Sequence, residues 1–379
     1  MQAIIMAAGR STRTYPLTST RPKPLIPIWD RPLLEHQLRQ LHGLVNEVLV
    51  VVGYRREQIE ASFGDEYEGL AIRYVEQEQQ RGTADAVASV RDYVTGRALV
   101  LNGDDFYHRD DLSALLQGGR GLLVTQAPDP ENRAVVTVVD GAIENIVEKP
   151  SSAPRGALCS VGGYCIERAD LDLLDGLSPS PRGELELPDL ILAIARGARV
   201  RPQIIRRVWL PLTYAWDVLE AVNFIWSDPH RVELFALTAH SPETIAGRAD
   251  IRLGRDVVIE GPVWLGTGIV LGNGSRLRGP LALGSGTRVG RDTILERAVT
   301  FSDVDVGDGA LVRDSVLGSG VGVGRGARLD SRPGQELQIE IRGKNVVPAI
   351  ERLGAIVGDG AVLDDGIVIP AGTLIPAAT

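Results

Sequence analysis

Apolar residues return every six positions along the last third of this chain, at Leu253, Ile259, Leu265, Leu271, Leu277, Leu283, Val289, Leu295 and Phe301. Glycine follows several of them, at Gly254, Gly266, Gly272, Gly284 and Gly290. Neither a helix nor an ordinary half-buried strand produces such a period. A parallel β-helix of hexapeptide repeats does, because each short strand sends one apolar side chain inward to stack on its counterpart in the next coil. The phase slips near Val306 and Leu317 and resumes at Val357, Leu363 and Ile369. The interruption at 330–350 reads as an arm expelled from the coil. Residues 249–379 are therefore expected to form a β-helix domain.

The preceding residues have another rhythm. Val- and Ile-rich runs at 2–8, 47–53, 71–75 and 98–104 alternate with helical patterns at 32–43 and 83–94. Strands alternating with helices predict an α/β, Rossmann-like domain over 1–228 with a parallel sheet covered on both faces. Residues 134–150 predict a hairpin around an Asp-Gly turn. Another strand is expected at 161–167, with helices at 184–197 and 216–226. The stretch 229–248 reads as a short helix and polar linker. A chain of 379 residues with a formal charge of −9 suits two globular domains and disfavours a nucleic acid polymer as partner. No apolar run approaches the ~20 residues of a membrane helix. The N-terminus lacks a signal-peptide pattern. Cys159 and Cys165 read as inert structural thiols, and the expected location is the cytoplasm.

Ligands of open α/β sheets sit beyond the carboxyl ends of the strands. MAAGRSTRTYPLT (6–18) follows the first strand, and its small residues Ala7, Ala8, Gly9, Ser11 and Thr12 would let backbone approach a phosphate. The bland alternative is a tight turn. RPKPLIPI (21–28) comes next. Only three of the chain's 40 basic residues are lysine, Lys23, Lys149 and Lys344. Prolines at 22, 24 and 27 stiffen the backbone around Lys23. A stiff lysine and Arg13 flanking a small-residue loop make a clamp for a polyphosphate.

The chain resembles the sugar-1-phosphate nucleotidylyltransferases of the glucose-1-phosphate thymidylyl- and uridylyltransferase kind. Their pattern Ala-Ala-Gly-x-Gly-Thr-Arg, Pro-Leu-Thr and Pro-Lys-Pro-Leu-x-Pro is matched at Ala7–Arg13, Pro16–Thr18 and Pro22–Pro27, with Ser11 in the place of a glycine. The resemblance implies that Arg13, Lys23, Asp104 and Lys149 are catalytic and that Asp104 binds Mg²⁺. It implies that Gln77, Gly82 and Thr83 read the nucleotide, and that Glu148, Lys149, Gly162 and Glu184 hold the sugar. The simpler readings are a surface glutamine for Gln77, a helix cap for Asp104 and a surface ion pair for Glu148–Lys149. The reaction implied joins dTTP or UTP to a hexose 1-phosphate and releases pyrophosphate. Many members also carry a C-terminal left-handed β-helix.

Three departures stand out. Pro211 occupies the place of a second metal carboxylate, and Asp217, six residues on, reads as a residue of the helix start. Arg133-Ala134 replaces an aromatic-glycine pair. The β-helix lacks the histidine used by related acetyltransferases; the aligned positions hold Asp308 and Ser331. The β-helix is accordingly expected to be a scaffold and homo-oligomerisation element, of the kind that packs as trimers. The alternatives are a non-catalytic sensing or assembly subunit, or a bifunctional enzyme with acyl transfer in the β-helix.

Overall fold

Each Val- and Ile-rich run becomes a strand, buried at 2–6, 47–52 and 98–102 and half-exposed at 70–76. In this computed structural model, which describes residues 1–127, 129–235, 245–247 and 250–378, the first strands are β1 (Gln2–Met6), β2 (Glu47–Val52), β3 (Glu66–Tyr67), β4 (Leu70–Glu76) and β5 (Ala98–Asn102). β1 lies between β2 and β5, all parallel, with Ile4 opposite both Leu49 and Val100. These residues are fully buried, as expected where helices cover both faces. The sheet is mixed rather than parallel throughout. After β6 (Asp105–Tyr107) come β7 (Gly121–Gln126), β8 (Ala134–Val139), β9 (Ala142–Glu148), β10 (Leu158–Ile166), β11 (Arg201–Ile204) and β12 (Trp209–Pro211). β10 runs antiparallel to β5 and extends the sheet through β8 and β9. Asp140 and Gly141 join β8 to β9 with φ of 50° and 69°, the left-handed pair that a two-residue hairpin requires. The helices are α1 (Leu33–Leu41), α2 (Arg56–Phe63), α3 (Thr83–Ser89), α4 (Arg109–Gln117), α5 (Leu187–Ala195), α6 (Asp217–Trp226) and α7 (Pro229–Phe235). Beyond α7, residues 236–244 and 248–249 of the expected linker region lie outside the described residues.

Two compact units emerge, and they do not follow the order of the sequence. One comprises Met1–Arg10 and Leu33–Pro211; the other comprises Ser11–Pro32 and Leu212–Thr379. The second contains the hexapeptide repeats, whose parallel strands stack in three sheets of seven, six and six strands as the faces of a left-handed β-helix. Leu271, Leu277, Leu283, Val289 and Leu295 point into its core, as their spacing predicts. Two positions depart from that expectation. Leu253, in the first coil, is exposed. Phe301 is buried but not stacked in the coil interior: Leu283 pairs with Thr300, and Thr300 with Leu317. The coil has lost one residue at the corner after Leu295, so strand pairing puts Thr300 inside. Its hydroxyl is engaged by the Gly284 N–H at 3.0 Å and the Thr287 hydroxyl at 2.9 Å. Residues 330–353 leave the coil after Leu329 and fold back as short antiparallel ribbons, Arg332–Pro333 on Arg352–Leu353 and Ile339–Ile341 on Lys344–Val346.

Candidate active site

The turn after β1 is built by backbone bonds. The Ala7 N–H donates to Val51 O at 2.8 Å, and Ala8 O accepts from the Tyr54 N–H at 3.1 Å and the Gln80 side chain at 2.7 Å. Gly9 follows at the unit's border. Gln77 is no surface glutamine. It is buried, and its amide donates to the Asp85 carboxylate at 2.8 Å and Gly82 O at 3.1 Å. Asp85 is also gripped by Arg81. Gly82 has φ +121°, and a Cβ there would strike Leu185 O. That close approach lets the Ala84 N–H bond Leu185 O at 2.9 Å. The Thr83 hydroxyl accepts the Leu187 N–H at 2.9 Å, so it ties the start of α3 to the start of α5.

Asp104 is half-buried in the turn between β5 and β6. It does not cap α4, whose cap is His108. Its neighbour Asp105 is buried, and one carboxylate oxygen receives the Tyr107 hydroxyl, the Asn102 amide and the Trp209 indole N–H at 3.1–3.2 Å. Pro211 pairs with Asp105 across β12 and β6 and offers no ligand. No cluster of three or more acidic, histidine or cysteine side chains forms a metal cage among the described residues. One half-buried carboxylate fits the habit of Mg²⁺, which keeps waters and takes substrate phosphates as ligands.

The other carboxylates gather around Arg182. It donates to Glu186 at 2.7 Å and lies 3.5 Å from Glu148. Burial raises the Glu148 pKa despite Arg182 and Lys149. Burial also acts to raise that of Glu186, but hydrogen bonds from Arg182 and Ser180 outweigh it and lower the value. Lys149 is about half exposed, with φ +47° and its ammonium 4.0 Å from Glu148. Glu184, expected on the sugar, is exposed, and the buried carboxylate of that segment is Glu186. Arg182 and Glu186 stand four apart in RGELE but precede α5, so their pairing follows from the turn at 181–186 and not from a helical repeat. Gly162 has φ +76°, and a Cβ there would collide with the Asn102 amide. Arg133, a departure from the family pattern, pairs with Asp129 at 2.9 Å and lies over the Trp209 ring. Burial raises the thiol pKa of Cys159 and of Cys165, the latter to about 11, which keeps both inert.

The second unit holds the remaining residues. Ser11 adopts φ 50°, ψ 47°, the left-handed conformation that a glycine takes without cost. Its carbonyl oxygen accepts from the Thr14 hydroxyl at 2.7 Å and the Thr18 hydroxyl at 3.0 Å, which hold it there. Thr12 has a buried hydroxyl with no partner among the described residues. Arg13 is exposed, and Lys23 is 3% exposed in a 3₁₀ turn, Lys23–Leu25. Asp217 opens α6 and accepts the Thr213 and Tyr214 N–H groups at 2.6 and 2.8 Å. It also lies in the fields of Lys23 and Arg13, a relation its spacing does not reveal.

A sequence model of nucleotidyl transferases matches residues 2–229. The chain belongs to the nucleotidyl transferase family. A Methanococcus maripaludis relative, named bifunctional protein GlmU, is 30% identical over 95% of this chain and 88% of its own length. A Sulfurisphaera tokodaii relative, named bifunctional sugar-1-phosphate nucleotidylyltransferase/acetyltransferase, is 26% identical over 94% of this chain and 90% of its own. The Haloferax volcanii UTP–glucose-1-phosphate uridylyltransferase AglF is 32% identical and covers 58% of this chain. A solved UDP-glucose pyrophosphorylase shares the fold, with TM-score 0.54 at 21% identity over 60% of this chain and 98% of that one. Relatives of this nucleotidylyltransferase thus include some that match nearly its whole length and one that matches little more than half of it. No helix among its described residues is long and apolar enough to cross a membrane.

Proposed function

We propose that this nucleotidylyltransferase joins UTP or dTTP to a hexose 1-phosphate, giving an NDP-sugar and pyrophosphate. The observation that carries the reading is likeness over 94% of the chain to a relative named for sugar-1-phosphate nucleotidyl transfer. A phosphate oxygen of the sugar attacks the α-phosphorus in line, and the bond to the leaving pyrophosphate breaks. No general base is needed, because a phosphate monoester is already anionic near neutral pH. The barrier lies in bringing anions together, so catalysis is positioning and charge stabilisation. Arg13 and Lys23 gather the triphosphate, helped by the backbone of Ala7, Ala8 and Gly9 and by Ser11 and Thr12. Gln77 has committed its amide hydrogens to Asp85 and Gly82, which leaves its oxygen to accept the imide N–H of uracil or thymine. Gly82 and Thr83 shape the nucleoside side of the site. Lys149 binds the sugar phosphate, and Glu148, Gly162 and Glu184 serve the sugar. Mg²⁺, held by Asp104 with waters, would neutralise charge on the phosphates.

The β-helix serves as scaffold and oligomerisation element in this reading. The partners of Asp308 and Ser331 speak against acyl transfer. Asp308 is spent on an exposed ion pair with Arg291, and Ser331 on Asp314 and Arg352. Neither offers a base with near-neutral pKa. Consumption of acetyl-CoA with glucosamine 1-phosphate would contradict this part.

The test of the main reading is a coupled pyrophosphate-release assay with magnesium. It crosses UTP, dTTP, ATP and GTP with glucose, mannose, galactose and N-acetylglucosamine 1-phosphates. Turnover is expected with UTP or dTTP and is abolished in Asp104→Ala. Silence with every pair would refute the activity, and a near-normal Asp104→Ala enzyme would refute the metal ligand.

A further inference from the structure

The segment that carries Lys23 packs in the same unit as the hexapeptide repeats, and its anchors there follow one line. Coil by coil, the corner after the longest sheet presents Thr267, Ser285, Ser302, Ser319 and Asp359. Hydroxyls of successive coils touch along this line, Thr267 to Ser285 at 2.9 Å and Ser302 to Ser319 at 3.2 Å. Residues 20–30 are bound to it at both ends. The Arg21 guanidinium donates to Asp359 at 2.6 and 3.2 Å and to the Ser319 hydroxyl at 3.0 Å, and the Thr20 hydroxyl also reaches Asp359. The other oxygen of Asp359 accepts the Ser319 N–H at 2.8 Å. At the far end, Asp30 accepts the Ser285 N–H at 2.9 Å and its hydroxyl at 2.5 Å. Trp29 stacks on Trp264 with centroids 5.9 Å apart.

Phe301 has its explanation here. It stands where neighbouring coils place Gly284 and Gly318, and the Arg21 guanidinium lies 5.2 Å over its ring. Ser285 and Asp359 are separated by three coil steps, roughly 14 Å at the usual strand spacing. The chain from Arg21 to Asp30 is thus held at two points along the β-helix axis. Lys23 lies two residues from the first anchor, with Pro22 and Pro24 on either side.

We propose that Arg21 and Asp359, with Asp30 and Ser285 at the other end, are positioning residues for Lys23, so that the last coils of the β-helix fix the triphosphate-binding lysine. The proposal rests on the assignment of Lys23 to the triphosphate for its kinetic consequence but not for its structural one. Arg21 and Asp359 retain side-chain exposures of only 19% and 14%, so the pair is better shielded from solvent than an ordinary surface ion pair.

The test uses the scarcity of lysine. Full-length Asp359→Asn and the milder Arg21→Gln are treated with an amine-reactive reagent, and labelling at Lys23, Lys149 and Lys344 is followed by peptide mass spectrometry. Lys23 is buried in the parent, whereas Lys149 and Lys344 are exposed and serve as internal controls. Asp365→Asn, which breaks the exposed pair between Asp365 of the same coil and Arg325 of the coil before it, is the control variant. Lys23 labelling should rise about tenfold or more in the first two variants, with no rise in Asp365→Asn and none at Lys149 or Lys344, and KM for the triphosphate should rise by a similar factor with kcat less affected. The double variant should be no worse than either single one. Parent-like Lys23 labelling in both folded variants would overturn the proposal. Equal gains at all three lysines would also overturn it, since that reports general loosening. If the parent shows no turnover with any substrate pair, the activity reading fails while the labelling still decides the positioning.

Discussion

Lys23 sits between two prolines with 3% exposure. An arginine there would bring a wider planar head into a space that admits a slim ammonium. Lys23→Arg should therefore keep the charge yet lower turnover by about 10²-fold or more, a loss typical of one misplaced charge-stabilising donor. A near-normal kcat would remove the shape argument. This residue was legible in the sequence because lysine is rare in a chain that otherwise uses arginine. Ser11 was half legible: its place in the motif called for glycine, but only the backbone shows the left-handed φ. Ser11→Gly relieves that strain, offset in part by glycine's entropy, and should raise the unfolding free energy by up to about 1 kcal/mol in urea melts. A clear loss of stability would mean that the serine side chain matters in its own right. Gln77 and Glu186 were harder to read: their partners lie only four to eight residues away, but no local pattern shows that either side chain is buried.

Strands and helices were read with fair accuracy wherever burial imposes a period. β1, β2, β4 and β5 coincide with the Val- and Ile-rich runs, and the Asp-Gly hairpin forms as its turn chemistry requires. The order of strands was not legible, since β10 joins the parallel strands through pairing that no local pattern announces. Thr300 makes the same point inside the β-helix. A polar residue takes the inward place because the coil is one residue short, and the six-residue period lands instead on the apolar Phe301 beside it. α6 carries a pH prediction. Burial holds the Asp217 pKa above the ordinary aspartate value, against the Tyr214 and Thr213 amides, Lys23 and Arg13. The native state then binds this proton more tightly than the unfolded chain. Its contribution to stability is complete below about pH 4 and is lost as pH rises through the raised native value. Asp217→Asn keeps an oxygen for both amides and does not ionise. Its stability relative to the parent should grow as pH rises from about 4 towards 7 in urea melts. A pH-independent difference would contradict the raised pKa.

At the scale of the molecule, the hexapeptide period announced the β-helix, and the motifs of the first 160 residues announced the chemistry. What neither showed is that residues 11–32 pack with the repeats, because a column of corner serines carries no hydrophobic signal. The β-helix holds the segment on which Lys23 and Arg13 are carried. All of this depends on the transfer reaction itself. The most direct measurement follows two labels, one on the α-phosphate and one on the γ-phosphate of UTP or dTTP, during incubation with hexose 1-phosphates and magnesium. The account predicts the α-label in an NDP-sugar and the γ-label in pyrophosphate. An α-label that never reaches a sugar nucleotide with any hexose 1-phosphate would contradict it.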